Sequence, residues 1–477
     1  MNPLVLVMLP TLLGMGVASP WLRPHARVLL VGTALVVSVL AFVHALLPSS
    51  ELWLGGYVRS DATSRLFLTL INPIFLGISV YVASRLTATP ALHVGLGRFV
   101  GLALTFLGAS NAVVLGNHLL VQWIALEVTT LVAAPLIVRP GVGRSRLASW
   151  RYLLFSSVAL SLVLIGFVCL GRAMEGAGHE PSFFIDRLLE LDVVGAGPWG
   201  KPGLALAIFG LGTKLGLAPM YTWLPDAYDE APPAVTALLG AVQFNAALVL
   251  LLRVVQVYRP SNAALVTNEL LTLGLGSMVV SAISIIATRN MKRLIAYGAI
   301  NHAGVIAIGL AIGKGTTYGV LIYVISNAFI KAILFLTAGK IKAHYRTKDT
   351  REISGLIKDL PYSGVFLLVG TLALLGFPPF GSFFGELLIL SALVSSGHLY
   401  VFSLFCVVIT ITFVATGRTI FPMIWGVSKK SQSWPEQTFL AGSPKIAFFV
   451  VLVVLGLYIP PSISSLLEQV AASLEGS

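Results

Sequence analysis

Long runs of apolar residues, separated by short polar segments, recur along the whole chain. Most runs are about 20 residues long, which is the length of an α-helix that crosses the hydrocarbon core of a membrane. They lack the regular alternation of a transmembrane β-barrel. The pattern therefore predicts an all-α polytopic membrane protein with about fourteen transmembrane helices. Their approximate limits are 3–18, 28–47, 66–84, 99–115, 119–138, 151–170, 203–224, 234–257, 265–287, 294–312, 317–339, 362–396, 399–424 and 445–460. The first run has no basic segment before it, so we expect a span rather than a signal peptide.

Two of the predicted spans are interrupted by proline. Pro219 interrupts the seventh span within LGLAP, and Pro378 and Pro379 interrupt the twelfth within LGFPP. A proline inside a helix removes a backbone hydrogen bond, and in a membrane the freed carbonyl must face protein or a wet cavity. Two similar breaks, five spans apart, are typical of an inverted-repeat transporter with broken seventh and twelfth helices.

The distribution of charge predicts the orientation. Charged residues make up only 10% of the chain, and the net charge is +12. Of the 31 lysines and arginines, 21 fall in the odd-numbered loops and 8 in the even-numbered loops. The positive-inside rule then places the odd-numbered loops in the cytoplasm and both termini outside. Because this rule also accounts for the net positive charge, the expected partner is the lipid bilayer and not a nucleic acid.

The sequence offers no ligand set for a cofactor. Cys169 and Cys406 both lie in apolar runs, and two isolated cysteines do not hold an iron–sulfur cluster or a structural zinc. No glycine-rich phosphate loop follows a predicted strand. We therefore expect no cofactor, no metal ion and no catalytic redox site in this chain.

Two lysines lie deep within predicted spans. Lys214 is in the seventh span, five residues before Pro219, and Lys331 is in the eleventh. A charge in the membrane interior costs about 3 kcal/mol or more unless it faces water or a partner, so both lysines are candidates for an ion pathway. The alternative for Lys331 is that its side chain extends to the cytoplasmic surface.

Two acids accompany these lysines. Glu127 lies in the middle of the fifth span and is the candidate partner of Lys214, because opposite charges stabilise each other when both are buried. The alternative is a structural acid that accepts hydrogen bonds from Thr129 or Thr130. Glu386 follows the second break, where it either caps the N-terminus of a half-helix or forms the last proton site of the pathway.

Further polar residues extend the candidate pathway. His302, in the tenth span, is either a proton relay or a buried structural histidine. Asn245, in the eighth span, passes a hydrogen bond or holds a water but does not titrate. Asp226, Asp229 and Glu230 follow the seventh span, where they form either a solvated acidic loop or a proton entrance on the cytoplasmic side.

Four segments resemble the proton-conducting antiporter-like membrane subunits of respiratory complex I, Mrp-type cation/proton antiporters and membrane-bound hydrogenases. They are KLGLAPMYTWLPDAYDEAPPAVTALLG, NMKRLIAYGAINHAGVIAIG, NAFIKAILFLTAGKI and LLGFPPFGSFFGELLIL. The resemblance extends roughly from residue 116 to 421, and it is closest to the hydrogenase-4 / formate-hydrogenlyase F-type branch. It implies fourteen spans that contain two inverted five-helix repeats.

The resemblance also implies how the chain is divided. Residues 1–98 would form an N-terminal three-helix segment, and residues 99–257 and 265–424 would form the first and second inverted repeats. The proton-conducting core would extend over residues 116–421. Residues 425–477 would form a C-terminal helix and a short tail.

Carried over by position, the resemblance places four residues in a central hydrophilic axis: Glu127, Lys214, Lys331 and Glu386. Two positions depart from the family pattern. Asn245 stands where several members have lysine or histidine, and Asn327 stands where the motif usually has histidine. Both departures replace a side chain that takes up protons with one that does not.

These observations predict a proton-translocating subunit of a multisubunit respiratory or hydrogenase-type complex in the plasma membrane of a prokaryote. The predicted partners are other membrane subunits and a soluble redox module on the cytoplasmic face. Two alternatives stay open. One is a Na⁺/H⁺ antiporter subunit of the Mrp type, and the other is a non-conducting membrane scaffold subunit.

Overall fold

The computed structural model describes residues 2–17, 19, 21–47, 52–88, 95–191, 197–313, 315–428 and 439–475. Within these ranges the strands are limited to the antiparallel pair Leu52–Trp53 (β1) and Val58–Arg59 (β2). Three lysines that contributed to the predicted orientation, Lys314, Lys429 and Lys430, lie outside the described residues.

The first half of the chain folds into helices that are joined by short connections. These helices are α1 (Val5–Gly16), α2 (Ala26–Leu46), α3 (Ala62–Ala88), α4 (Leu96–Leu115), α5 (Leu119–Ile137), α6 (Gly143–Gly176), α7 (Ile185–Glu190), α8 (Gly197–Leu215), α9 (Trp223–Glu230) and α10 (Pro233–Ala237). Two short 3₁₀ turns, Arg23–His25 and Leu54–Gly56, lie between the first three helices.

A π-helical segment, Leu238–Gln243, joins α10 to the second half of the chain. The helices that follow are α11 (Phe244–Ala287), α12 (Met291–Ile312), α13 (Thr317–Tyr345), α14 (Leu356–Asp359), α15 (Pro361–Leu374), α16 (Gly381–Ser395), α17 (Leu399–Trp425), α18 (Phe439–Leu457) and α19 (Pro461–Glu475).

Nine of the described helical segments are long and apolar enough to cross a membrane, and the pair α18 and α19, bent by 76°, adds at most a tenth. The chain is therefore a multi-pass integral membrane protein. This count is lower than the predicted fourteen. One reason is that Pro233–Ala287 counts as a single segment, although its backbone is non-helical at Asn262. Another is that α1, α15 and α16 are shorter than a full span.

The core of the bundle lies around α12 and α13. The apolar stretch of α13 is buried along its whole length and that of α12 almost completely, whereas α2 and α17 are largely exposed. A helix that is apolar on all sides is expected at such a central position. Lys331 and His302 therefore lie on the two most enclosed of these helices.

The first helix break separates α8 from α9. Gly216 adopts a left-handed conformation with φ of +85°, and the amide of Leu217 donates a hydrogen bond of 2.8 Å to the carbonyl of Gly212. This six-to-one bond is a Schellman motif, which ends a helix by satisfying one of its last carbonyls. The peptide bond between Ala218 and Pro219 is cis.

The second helix break, between α15 and α16, repeats this geometry. Gly376 has φ of +65°, and the amide of Phe377 donates a hydrogen bond of 3.0 Å to the carbonyl of Leu372. A cis peptide bond, between Pro378 and Pro379, follows here as well. The two breaks thus share one helix-ending motif, a glycine with positive φ, and a proline two or three residues later.

The C-terminal helix α19 lies across the end of the bundle. It buries Leu467, Val470 and Leu474 and packs against α13, α3 and α11. The side chain of Gln256 on α11 donates a hydrogen bond of 2.8 Å to the carbonyl of Ser473. This amphipathic helix therefore ties three spans together at one membrane face.

Candidate functional site

Lys214 lies in the last turn of α8, directly before the first helix break, and is only 4% exposed. Its Nζ donates a hydrogen bond of 2.6 Å to Oγ1 of Thr130 and lies 5.0 Å from the ring centre of Tyr152. The hydroxyl of Tyr152 bonds to the amide of Gln243, whose Nε2 also donates to Oγ1 of Thr129 at 3.0 Å. Hydroxyl groups and an aromatic ring therefore hold the ammonium group.

Glu127 does not form the direct ion pair with Lys214 that we expected. Its Oε1 accepts a hydrogen bond of 2.8 Å from Ser157 on α6, and its Oε2 is buried without a hydrogen-bond partner among the described residues. Thr130 lies about one helical turn further along α5 and takes the contact with Lys214 instead. Glu127 and Lys214 remain close enough for their charges to interact through space.

Lys331 lies in the middle of α13 and is 1% exposed. Its Nζ lies 3.6 Å from the ring centre of Phe244 and has no hydrogen-bond partner among the described residues. Its aliphatic chain passes close to Gly240, where a Cβ atom would lie 3.6 Å from its Cδ. The side chain therefore ends inside the bundle, and the alternative that it extends to the membrane surface does not describe this structure.

The π-helical segment brings the surroundings of the two lysines together. Gln243, its last residue, bonds to the hydroxyl groups around Lys214, and the next residue, Phe244, lies against Lys331. π-Helical turns within α-helices are frequent at functional sites. Gln243 was not among the sequence-predicted site residues, although an amide within the apolar run AVQFNAALVLLL was a visible signal.

Both asparagines that depart from the family pattern are buried. Nδ2 of Asn245 donates a hydrogen bond of 2.6 Å to the carbonyl of Ala241 in its own helix. Oδ1 of Asn245 and Oδ1 of Asn327 are buried without a hydrogen-bond partner among the described residues. Asn327 therefore does not bind Lys331, which lies one helical turn away, and each asparagine leaves a buried acceptor available.

His302, Tyr323 and Glu386 form a connected group between α12, α13 and α16. Nε2 of His302 lies 2.9 Å from the carbonyl of Leu374, and Nδ1 makes a short hydrogen bond with the hydroxyl of Tyr323. That hydroxyl also lies 3.4 Å from Oε1 of Glu386. Because a carbonyl only accepts, the proton of a neutral His302 is assigned to Nε2, and Nδ1 accepts from Tyr323.

The hydroxyl of Tyr323 has one proton and two neighbouring acceptors, His302 and Glu386. Both contacts are satisfied when Glu386 is protonated and donates to the phenol oxygen, or when His302 is protonated and the phenol donates to Glu386. The group is therefore suited to hold one additional proton at either end. Tyr323 was not among the sequence-predicted site residues, although it shares one face of α13 with Asn327 and Lys331 at a spacing of four residues.

The three acids of α9 are held in ion pairs. Asp226 contacts Arg151 and Arg293, each at 2.5 Å. Asp229 contacts Lys348 at 2.7 Å and Arg293 at 3.5 Å. The basic partners come from helices and loops that are far apart in sequence. We refer to the residues Arg139, Arg151, Asp226, Asp229, Glu230, Asn290, Arg293 and Lys348 as the α9 cluster.

The basic residues of the α9 cluster set the protonation state of its acids. Burial alone would raise the pKa of Asp229, but Lys348 and the amide of Asn290 hold that pKa below its ordinary value. Burial opposes ionisation of Glu230 too, yet Lys348 at 3.0 Å and an ion pair with Arg139 lower its pKa. Both acids are therefore ionised at neutral pH, and the alternative of a solvated acidic loop is wrong.

Lys292 is a buried lysine that the sequence analysis assigned to a loop. It lies in the first turn of α12 and is 1% exposed. Its Nζ donates hydrogen bonds of 2.9 Å to the carbonyls of Asp229 and Ala231, and Thr236 Oγ1 lies at 3.5 Å. Lys292 thus satisfies carbonyl groups at the C-terminal end of α9, where a positive charge is favourable.

Among the described residues, no group of three or more His, Cys, Asp or Glu is arranged to hold a metal ion. The expectation that this chain holds no cofactor stays a prediction. The chemistry available at the site is hydrogen bonding and proton transfer by lysine, histidine, tyrosine and carboxyl side chains.

A family model described as "NADH:quinone oxidoreductase/Mrp antiporter, TM" matches residues 116–413. The hydrogenase-4 component F homolog of Methylacidiphilum infernorum is 27% identical over 428 residues, which cover 86% of this chain and 87% of that protein. The NADH-quinone oxidoreductase subunit N 2 of Chloroherpeton thalassium is 27% identical over 441 residues, with 89% and 84% covered.

Solved structures contain chains of the same shape. A chain of the membrane-bound sulfane sulfur reductase, an archaeal respiratory membrane complex, superposes with a TM-score of 0.88. The two sequences are 22% identical, and the superposition covers 99% of this chain and 97% of that one. At this identity the likeness supports the fold alone.

Proposed function

Because the chain belongs to the NADH:quinone oxidoreductase/Mrp antiporter transmembrane family, we propose that it translocates protons as a subunit of a multisubunit respiratory or hydrogenase-type complex. As a member of this family it is an antiporter-like membrane subunit, and its partners are other membrane subunits. We further propose that a soluble module on the cytoplasmic side carries the redox centres and that the complex lies in a prokaryotic plasma membrane.

The observation that carries the proposal is the burial of Lys214 and Lys331 beside the π-helical segment Leu238–Gln243. Neither ammonium group forms an ion pair within the described part of the chain, so the proton affinity of each depends on nearby charges and dipoles. A change of about 1.4 kcal/mol in those interactions changes the proton affinity tenfold. Moving one charge through 100 mV requires about 2.3 kcal/mol, which is within reach of such changes.

We propose that a proton passes from Lys214, under the influence of Glu127, past Asn245 to Lys331. It then continues through His302 to Glu386. Asn245 accepts a hydrogen bond but does not titrate, so we propose that water molecules carry the proton past it.

We propose the α9 cluster as the entrance to this path. Asp226, Asp229 and Glu230 are all ion-paired, so protons would enter when these pairs exchange partners.

The same family membership supports a finer architecture. We propose fourteen spans with both termini outside, in which residues 203–224, interrupted after α8, and residues 362–396, interrupted after α15, form the broken seventh and twelfth spans, and Asn262 divides the eighth from the ninth. The shared helix-ending motif at Gly216 and Gly376 supports two inverted repeats, 99–257 and 265–424. We propose a proton-conducting core at 116–421, between the three-helix segment 1–98 and the C-terminal region 425–477.

The contacts around Glu127 favour protons over sodium as the transported ion. A sodium site needs several oxygen ligands. Oγ1 of Thr130 instead accepts a hydrogen bond from the ammonium group of Lys214, and Oγ1 of Thr129 accepts one from Gln243. A sodium ion at Glu127 would therefore compete with the ammonium group of Lys214 for Oγ1 of Thr130 and with the amide of Gln243 for Oγ1 of Thr129.

The decisive experiment compares Lys214→Ala with Lys201→Ala, which removes an exposed lysine from the same helix. The complex is first purified in mild detergent through a tag on this chain, which identifies the associated subunits and its electron donor. Proton uptake into membrane vesicles is then measured with that donor. We expect Lys214→Ala to abolish proton uptake with assembly retained, and Lys201→Ala to leave uptake unchanged.

Three outcomes would contradict the proposal. Normal proton uptake by an assembled Lys214→Ala complex would exclude the role of this lysine. Uptake that requires added sodium would favour the Mrp-type alternative. Normal uptake after simultaneous replacement of Glu127, Lys214 and Glu386 would indicate a non-conducting scaffold.

A further inference from the structure

A groove of about 980 Å³ lies between the end of α11, the middle of α17 and the segment that follows α13. Neither Lys214 nor Lys331 lines it, and the proposed proton path does not use it. We refer to it as the arginine groove, and its defining residues are Ile286, Arg289, Arg351, Ile411, Val414 and Arg418.

The floor of the arginine groove is apolar and exposed. Ile286 is 64% exposed, Val414 58% and Ile411 39%. On α17, Ile411, Val414 and Arg418 follow one another at spacings of three and four, so they share one helix face. On the other wall, Ile286 precedes Arg289 by three residues. Each wall therefore presents an apolar surface that ends in an arginine.

The rim of the arginine groove has an excess of positive charge. Arg351 pairs with Asp349, with its Nη2 at 3.0 Å from Oδ2. Arg289 and Arg418 are exposed, and their side chains donate no hydrogen bond to any described residue. The hydroxyl groups of Thr350 and Thr419 also line the groove. Asp349 and Glu352 offset two of the three arginine charges, so the rim keeps a net charge of about +1 above the apolar floor, and the two arginines that donate no hydrogen bond to a described residue, Arg289 and Arg418, carry it.

We propose that the arginine groove binds an anionic phospholipid. The phosphate group lies between Arg289 and Arg418, because the planar guanidinium group binds phosphate oxygens with two parallel hydrogen bonds. The acyl chains cover Ile286, Ile411 and Val414. Basic pockets between transmembrane helices recognise anionic headgroups in this way. Charge complementarity therefore selects an anionic lipid over a zwitterionic one.

The test uses the purified complex and dioleoyl-phosphatidylglycerol as the probe, with binding measured by native mass spectrometry and by lipid titration. The variant is Arg289→Gln/Arg418→Gln. Its matched control, Arg146→Gln/Arg346→Gln, removes two exposed arginines outside the groove, from the N-terminal turn of α6 and the C-terminal end of α13. Each arginine near a headgroup contributes about fivefold to binding, so we expect about 25-fold weaker binding in the variant and unchanged binding in the control.

A second variant tests the proposal independently, in case the arginine variant misfolds. Val414→Trp fills the exposed apolar floor without changing the charge, and we expect it to weaken lipid retention as well. Phosphatidylcholine and inorganic phosphate should not displace the bound phosphatidylglycerol. The proposal is overturned if Arg289→Gln/Arg418→Gln binds the lipid as tightly as its control. It is also overturned if the Val414→Cys variant cross-links efficiently to a neighbouring subunit through its new thiol, because a protein would then cover the groove.

Discussion

Replacing Tyr323 with phenylalanine isolates the step between His302 and Glu386. The hydroxyl of Tyr323 is the contact that these two side chains share, since it bonds to Nδ1 of His302 and lies 3.4 Å from Oε1 of Glu386. Tyr323 is completely buried, and phenylalanine preserves its ring and leaves out only the oxygen atom. The substitution therefore interrupts the proposed proton path without creating a large cavity.

The expected magnitude follows from the contacts of Tyr323. Phenylalanine leaves Nδ1 of His302 buried without a donor, and an unsatisfied buried polar group costs about 1–3 kcal/mol. We expect the free energy of unfolding to fall by about this amount. If proton transfer depends on the same hydrogen bond, the barrier rises by a similar amount, and translocation becomes about 5- to 150-fold slower.

The control for Tyr323→Phe is Tyr318→Phe in the same helix. The hydroxyl of Tyr318 bonds to Oγ of Ser464 at 3.1 Å, away from the proposed path. Its loss should cost about 0.5–1.5 kcal/mol and leave transport unchanged. Initial rates of proton uptake are measured in vesicles and divided by the amount of assembled complex. The relay through Tyr323 would be refuted if both variants transported protons at rates within twofold of each other.

Two further predictions address the positioning of the acids. A Cβ atom at Gly376 would lie 2.2 Å from Oε2 of Glu386, and the φ of +65° at Gly376 disfavours any residue other than glycine. We therefore expect Gly376→Ala to displace the carboxyl group of Glu386 and to slow proton uptake. The control is Gly397→Ala, because Gly397 has a similar φ of +78° but open space around it. This variant should lose about 1 kcal/mol of stability and show no transport defect. Equal proton uptake by the two variants contradicts the prediction. Lys348→Met should lower the free energy of unfolding by about 2 kcal/mol at pH 7, a value between those of exposed and fully buried ion pairs. Because Lys348 lowers the pKa values of Asp229 and Glu230, its contribution is complete above about pH 5 and declines as the pH falls through those lowered pKa values; a difference from wild type that does not shrink between pH 7 and pH 3 in an unfolding titration contradicts this.

Sequence patterns located much of the candidate site. Because burying a charge in a membrane is costly, a charged residue within an apolar run stands out in the sequence. Lys214 and Lys331 stood out as charges in apolar runs, and both are buried in the structure. The prolines at positions 219 and 378 lie where α8 and α15 have ended. These features are local, so periodicity and residue type were sufficient to find them.

Contacts between side chains of different helices could not be predicted from periodicity and residue type. Glu127 and Thr130 lie on the same helix, three residues apart, and only the way in which α5 and α8 both pack against α6 decides which of them meets Lys214. Lys292 looked like one more basic loop residue, because nothing near it in sequence shows that the end of α9 closes over it. Tyr323 was overlooked for a different reason, since a tyrosine in an apolar helix is usually a packing residue.

The π-helical segment Leu238–Gln243 also fixes a rotational phase. One additional residue in a turn rotates everything that follows by about 100° relative to a continuous α-helix. With the preceding helix held in place, closing this segment into a continuous α-helix of the same residues would bring Gln243 to the position of Phe244. An amide would then face the ammonium group of Lys331 in place of an aromatic ring. A single-residue offset in the backbone thus determines the chemical character of the space between the two buried lysines.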